Sequence, residues 1–210
     1  MSRVFTATYD LCLWPSERLG MRALRRRAVA DLRGRVLELG AGTGLNFPYY
    51  RDAAEVVAVE PDPGMRRRAA ARARAASVPI ALVNARAEAL PFAEGSVDAA
   101  VITLVLCSVG DVGQALAELR RVLRPGAPVR LIEHVRAPHA LIAALQTALT
   151  PLQRRVAGNC HLDRRTVDAL RAAGFTIEEA RPHLRGSLVE VMARTPDVAD
   201  APHTPGDAHD

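Results

Sequence analysis

"RVLELGAGTGLNFPYY", residues 35–50, decides the fold of this chain. Arg35 to Leu39 read as a buried strand, and Gly40, Gly42 and Gly44 follow it at alternate positions. A strand running straight into a glycine turn opens a parallel α/β unit. At that place glycine allows positive φ and lets a ligand approach the backbone closely.

Outward from this stretch the same period repeats. "EVVAVE" (55–60), "PIALVNA" (79–85), "VDAAVITL" (97–104) and "PVRLIEHV" (128–135) read as further strands. Helical spacing fills "ERLGMRALRRRAVADL" (17–32), "PDPGMRRRAAARARAA" (61–76) and "VGQALAELRRVL" (112–123), the last stopped by Pro125 and Gly126. The segment between the first two strands holds no helix long enough to read. Strands alternating with helices at this interval imply a doubly wound, Rossmann-like α/β sheet, mostly parallel. Later, residues 139–159 have a helical period that Pro151 is expected to break, and 163–175 read as a helix ending at Gly174. "FTIEEARPHL" and "SLVEVMART" close the pattern as an antiparallel hairpin at the sheet edge.

One domain over residues 1–196 is expected, with an N-terminal helical lid (1–33), a helical insert (137–166) and a disordered tail (197–210). The chain of 210 residues, 49% hydrophobic, suits a single core. Its longest apolar runs, such as "AAVITLVLC" (99–107), fall far short of the roughly 20 residues of a membrane span. Three cysteines at wide spacing suit neither a disulfide framework nor a zinc site, and a reducing, cytoplasmic location fits them. All 28 basic residues are arginine, spread around helices rather than along one stripe. With no nucleic-acid signature beside them, a solvated surface is expected and no nucleic-acid partner.

Glu60 ends the second strand, where it can accept hydrogen bonds from ribose hydroxyls. A nucleoside ligand follows. The dinucleotide fingerprint requires glycine at position 45, which is Leu45, and no phosphate-loop motif is present. "ELGAGTG" (38–44), with Glu60 and "AEALPFAEGSVDAAV" (87–101), resembles the first motifs of class I S-adenosylmethionine-dependent methyltransferases. "VDAAVITLVLCSVGD", "LRRVLRPG", "IEHV" and "GNCHLDRRTVDALRAAGF" further resemble the thiol S-methyltransferases of animals and their bacterial relatives, within the ubiquinone/menaquinone-methyltransferase-like group. "TLVLCSV" (103–109) and the pair Glu133–His134 are the most specific matches.

The resemblance implies S-adenosylmethionine as cofactor and a small-molecule acceptor, a thiol first. By similarity Gly40, Ala41, Gly42 and Gly44 face the methionine half of the cofactor, and Glu60 takes the ribose. Met65 packs on the adenine, Ala87 and Glu88 lie at its edge, and Thr103 and Leu104 flank the methionine part. Glu38 and Pro61 complete the implied cofactor set. The sequence departs from the group where Ala85, Arg86 and Ala87 replace Gly-Asp-Ala, and arginine cannot accept from the adenine amine. Glu88 or a backbone carbonyl must then serve. The apolar N-terminal anchor of the animal proteins and the late Asn-Pro-rich segment of the quinone enzymes are not found in these residues.

His134, at the carboxyl end of strand five, is the first candidate base for drawing a proton from a thiol. His161 is the second, and a histidine that merely bonds to a loop is the competing reading of His134. Cys160 and His161 are adjacent and no second ligand pair has zinc spacing, so no metal site is expected. Cys107 and Cys12 read as packed small apolar groups. Tyr9 and Trp14 either reach the cofactor carboxylate and the acceptor, or pack their helix onto the sheet. Leu141, Leu145, Leu149 and Leu152 form either another pocket wall or a dimer surface, leaving monomer and homodimer open. O- or N-methylation of a metabolite, quinone or lipid headgroup, an RNA-binding role for the arginines, and cofactor binding without turnover are the competing functions.

Overall fold

The computed structural model describes residues 3–156 and 158–197. Seven strands form one sheet in the order β3-β2-β1-β4-β5-β7-β6. β1 (Gly34–Leu39), β2 (Ala53–Val59), β3 (Ile80–Val83), β4 (Ala99–Thr103) and β5 (Pro128–His134) pair in parallel. β7 (Leu188–Arg194) runs antiparallel to β5, and β6 (Thr176–His183) pairs antiparallel with β7 at the edge. The mostly parallel sheet with a C-terminal edge hairpin is as the sequence implies.

Central strands are mostly apolar because both faces are covered, with Glu38 of β1 and Arg130 and Glu133 of β5 as buried charged exceptions. Leu116, Leu119 and Val122 of α4 (Val112–Val122) and Leu170 of α6 (Thr166–Ala172) pack with Leu37, Ile102 and Leu131 on one face. On the other, Leu24, Ala28 and Val29 of α2 (Arg22–Val29) and Ala69 of α3 (Pro63–Arg74) pack with Val36, Val101 and Ile132. The strand order turns between β1 and β4, and a crevice opens at their carboxyl ends. α3 is aimed at that crevice by its start: Asp62 accepts from the amides of Gly64 (2.8 Å) and Met65 (2.9 Å), with Pro63 at the first helical position.

Three local expectations change. The helix expected over 17–32 is interrupted, since α1 (Arg3–Ser16) and α2 are joined by a wide turn at Glu17–Met21 with Gly20 at φ +135°. That bend brings the buried Glu17 carboxylate onto Arg25 at 2.9 Å. Pro151 does not break α5 (Ala140–Val156). Pro151 removes one amide donor, while the Thr150 hydroxyl donates to the Gln146 carbonyl at 2.8 Å and keeps the neighbouring turn bonded. The leucine stripe of α5 faces solvent, from 43% exposed at Leu149 to 75% at Leu141, so it is not a wall of the crevice. Ala143, Gln146 and Thr150 are the buried face instead. The tail expected at 197–210 lies outside the described residues beyond Asp197. No described helix is long and apolar enough to cross a membrane.

Candidate active site

The crevice is a cavity of about 700 Å³ bounded by α1, the glycine loop, the β2–α3 turn and the loops after β4 and β5. The three glycines serve two different ends. A Cβ on Gly40 would lie 2.5 Å from Val105, and one on Gly44 would strike the Phe47 ring at 2.6 Å, so both make room for packing. A Cβ on Gly42 would meet nothing within 4 Å, and Gly42 lines the cavity at φ +56°. Its backbone amide donates to Glu60 Oε2 at 2.9 Å, while Asp62 N donates to Oε1 at 2.9 Å. Two backbone donors thus aim the buried Glu60 carboxylate into the cavity, where its remaining lone pairs can take hydroxyl groups. Burial raises its pKa, and the two amide bonds oppose the shift.

Of the implied cofactor residues, Tyr9, Gly40, Gly42, Glu60, Pro61, Met65, Ala87, Glu88, Thr103 and Leu104 line the cavity. Ala41, Gly44 and Glu38 do not. Ala41 is packed in the core. Glu38 is buried beneath the loop, accepting from Tyr50 Oη (2.8 Å) and from Asn46 Nδ2 (3.1 Å), which also reaches Thr103 Oγ1 at 3.2 Å. Burial pushes Glu38 up to about 7, against the Tyr50 bond and the Arg25 charge. It stiffens the loop from below and does not line the cavity. Glu88 accepts from the amide of Gly110 at 3.0 Å and pairs with Arg86 at 3.5 Å, tying the departure at 85–87 to the loop after β4.

The N-terminal helix lies across the cavity through Tyr9, Cys12 and Leu13. Asp10, which sequence reasoning passed over, is its anchor: Thr43 Oγ1 donates to it at 2.6 Å and Arg72 at 2.9 Å. Thr43 stands at a non-glycine position of the motif, so only its neighbour in space reveals this role. Trp14 is 50% exposed and stacks with the Arg18 guanidinium at 4.6 Å, which excludes both the acceptor wall and sheet packing for that ring. Cys12 is exposed and faces the cavity instead of the core, because α1 covers the crevice and not the sheet.

Beyond β4 and β5 the wall changes character. Glu133, fully buried, accepts from the amides of Val105 (2.7 Å), Leu106 (2.8 Å) and Cys107 (3.3 Å) and so shapes the loop in which Leu104 has φ +58°. Several hydrogen bonds lay the 158–165 segment on this loop, among them the His161 amide to the Cys107 carbonyl at 2.8 Å and Arg164 to the Leu106 carbonyl. His161 Nδ1 lies 3.2 Å from the Cys107 carbonyl, Asn159 Nδ2 donates to Ser108 O at 3.1 Å, and Arg164 donates to the Val109 carbonyl at 2.8 Å. His161 therefore docks the segment and does not line the cavity. The docking brings Cys160 Sγ to 3.6 Å from Cys107 Sγ and 3.8 Å from His134 Nδ1, and all three side chains line the cavity. The Cys107–Cys160 hydrogen bond and the His134 ring lower the Cys160 pKa despite burial, while the same bond and burial push Cys107 well above the ordinary thiol value. Burial works against the charged imidazole of His134, but Cys160 outweighs it and His134 is raised.

A cavity that accepts hydroxyls at Glu60 and leaves open space at Gly42 fits a nucleoside with an attached aliphatic arm. Residues 37–131 match the family described as Methyltransferase domain. The chain is 32% identical over 202 residues to human "Thiol S-methyltransferase TMT1B", covering 85% of this chain and 83% of that protein. The chain belongs to the S-adenosylmethionine-dependent methyltransferases. It is also 38% identical over 152 residues to "Demethylmenaquinone methyltransferase" of Beutenbergia cavernae, 67% of this chain and 62% of that one. The rat thiol S-methyltransferase of the same name is matched over 64% of its length. Among solved structures, an S-adenosylmethionine-dependent methyltransferase from Mesorhizobium loti superposes with TM-score 0.64 at 20% identity, covering 83% of this chain and 97% of that one. The methyltransferase fold and the cofactor class are those the sequence implies.

Proposed function

We propose that this methyltransferase transfers the methyl group to the sulfur of a small thiol. The observation that carries the reading is the wall formed by Cys107, His134 and Cys160 at the ends of β4 and β5, beside the methionine-flanking Thr103 and Leu104. An amine acceptor arrives as a cation and must be deprotonated before it attacks, and the carboxylate at this wall, Glu133, is spent on three loop amides. A thiol requires only a group that favours its anion, which an imidazole with its proton provides. The similarity to proteins named thiol S-methyltransferase supports the same acceptor.

Bound S-adenosylmethionine supplies an electrophilic methyl on a sulfonium. The residues of this chain do the rest by placement. Glu60 holds the ribose hydroxyls, Gly42 leaves room for the methionine arm, and Pro61 and Met65 pack on the base, with Ala87 and Glu88 at its edge. Tyr9, whose hydroxyl burial pushes up to about 12, stays neutral and covers the cofactor. α1 excludes water, which favours the loss of charge as thiolate and sulfonium combine. His134 is the residue we assign to keeping the acceptor sulfur anionic. Three free cysteines, two of them 3.6 Å apart, support a reducing, cytoplasmic setting.

A methyl-transfer screen with thiols, phenols, amines and quinols tests the reading. Alkyl and aryl thiols are expected to turn over, and His134→Ala to slow an alkyl thiol of pKa near 9 by about 10²-fold while sparing an aryl thiol already ionised at assay pH. Turnover confined to phenols, amines or quinols would overturn the thiol assignment. The demethylmenaquinone methyltransferase similarity makes the quinols the second class to examine.

A further inference from the structure

We propose that Cys107, His134 and Cys160 bind one thiophilic divalent cation of the zinc class, with the fourth position open to the cavity. The part we give that cation, holding the acceptor sulfur, rests on the thiol reading above. The donor set is two sulfurs and one imidazole nitrogen, all within 4.8 Å of one another. Zn²⁺ at about 2.3 Å from sulfur and about 2.1 Å from nitrogen sets tetrahedral ligands apart by about 3.8 Å for two sulfurs and about 3.6 Å for sulfur and nitrogen. The observed separations are 3.6 Å for the two sulfurs and 3.8 Å from Cys160 Sγ to His134 Nδ1. A cation would therefore enter with little movement of these two pairs.

The expectation that no metal is bound rested on ligand spacing along the chain, and that test does not reach these residues. They come from the loop after β4, the end of β5 and the 158–165 segment, with the cysteines 53 positions apart and His134 and Cys160 26 apart. Each is held by groups that are not ligands. Glu133 fixes the amide of Cys107, and Gln146 donates to the carbonyls of Val135 and Leu162 at 2.8 Å, clamping the exit of β5 to the Cys160 segment. Such outer support is what keeps a ligand set in place. Soft sulfur with imidazole selects zinc-class cations over magnesium or calcium, which take oxygen ligands.

With the cation bound, His134 acts on the acceptor through it as a ligand and not as a free imidazolium: the cation would do for the acceptor what Lewis acids do generally, lowering the pKa of a bound group. The acceptor thiol binds with loss of its proton to solvent. Its sulfur then forms the bond to the methyl carbon as the methyl–sulfonium bond breaks, and that electron pair stays on the departing thioether sulfur.

A hydrogen-bonded thiol pair leaves the same sulfur separation, and cobalt titration of the full chain after chelation separates the two. One Co²⁺ per chain with thiolate-to-metal charge-transfer and tetrahedral ligand-field bands is expected. Cys12→Ser should keep those bands, while Cys107→Ser and Cys160→Ser weaken binding at least tenfold and lose charge-transfer intensity. X-ray absorption of the zinc-loaded parent, which needs no variant, should count two sulfurs and one imidazole. A parent that takes up no cation at micromolar Zn²⁺, or bands that survive both cysteine substitutions, would overturn the site. Alkyl-thiol turnover unchanged after complete chelation would overturn the cation's part in the reaction and leave the thiol reading standing. Cation binding with no thiol methylated would uphold the site and remove the acceptor assignment instead.

Discussion

The cavity has two halves built in opposite ways. On the cofactor side, Gly42, Glu60, Asp62 and Met65 fall within 24 positions of one another and are joined by bonds from one strand end to the next. On the side we assign to the acceptor, Cys107, His134 and Cys160 meet only because Glu133, Asn159, His161 and Arg164 hold the loop after β4, the end of β5 and the 158–165 segment together. A ligand common to a whole family can be bound by a short, locally specified unit. In the proposed reading the acceptor meets a wall that distant segments assemble.

The largest expected effect breaks the cofactor half alone. Gly42→Val places a branched side chain in the open space at φ +56°, and cofactor affinity by calorimetry should fall by at least about 100-fold. Unchanged far-ultraviolet dichroism is expected alongside, and unchanged affinity would move the methionine arm away from the loop. Glu133→Ala strikes the acceptor half, leaving three amide donors without their carboxylate. Denaturant unfolding should show a loss of about 3 kcal/mol, at roughly 1 kcal/mol or more for each orphaned group. A loss well under that would mean the loop amides find other partners, and the two halves would differ less than their bonding suggests.

Glu60→Ala sharpens the comparison from the other side. Loss of hydrogen bonds to a charged acceptor should weaken cofactor binding by about 2 kcal/mol, with Glu60→Gln falling between that variant and the parent. Equal affinity in all three proteins would remove Glu60 from the ribose. The smallest effect concerns Glu38. Its folded pKa is raised to about 7 by burial, so the protonated form is favoured in the folded protein. The stability this contributes is complete below the unfolded carboxyl pKa and is lost as pH rises through about 7. The parent should lose about 1 kcal/mol per pH unit between pH 5 and 7 from this group, and Glu38→Gln should flatten that slope. A parallel pH profile in both proteins would show that Glu38 is ionised at no cost.

Legibility in the sequence follows the same division. Strand ends followed by glycine, an acidic residue one βαβ step later and a Pro-Asp helix start are each short-range signals, so β1, Glu60 and α3 could be read directly. His134 could be placed on the cavity because a residue ending a parallel strand must face that side of the sheet. Ala41, Gly44 and Glu38 carry the same motif signal, yet their work is packing and support. The motif records which residues the loop requires and not which of them touch the ligand.

Sequence by itself determined the doubly wound sheet, the methyltransferase family and the cofactor class, because those depend on periodicity and on motifs close along the chain. Tertiary structure alone decided that Asp10 anchors α1, that His161 faces a carbonyl, that the leucines of α5 face solvent, and that Cys107 and Cys160 stand together beside His134. No local rule encodes the pairing of loops 53 residues apart. It arises when the buried carboxylate of Glu133 and the donors of Asn159 and Arg164 satisfy backbone groups that folding has removed from water.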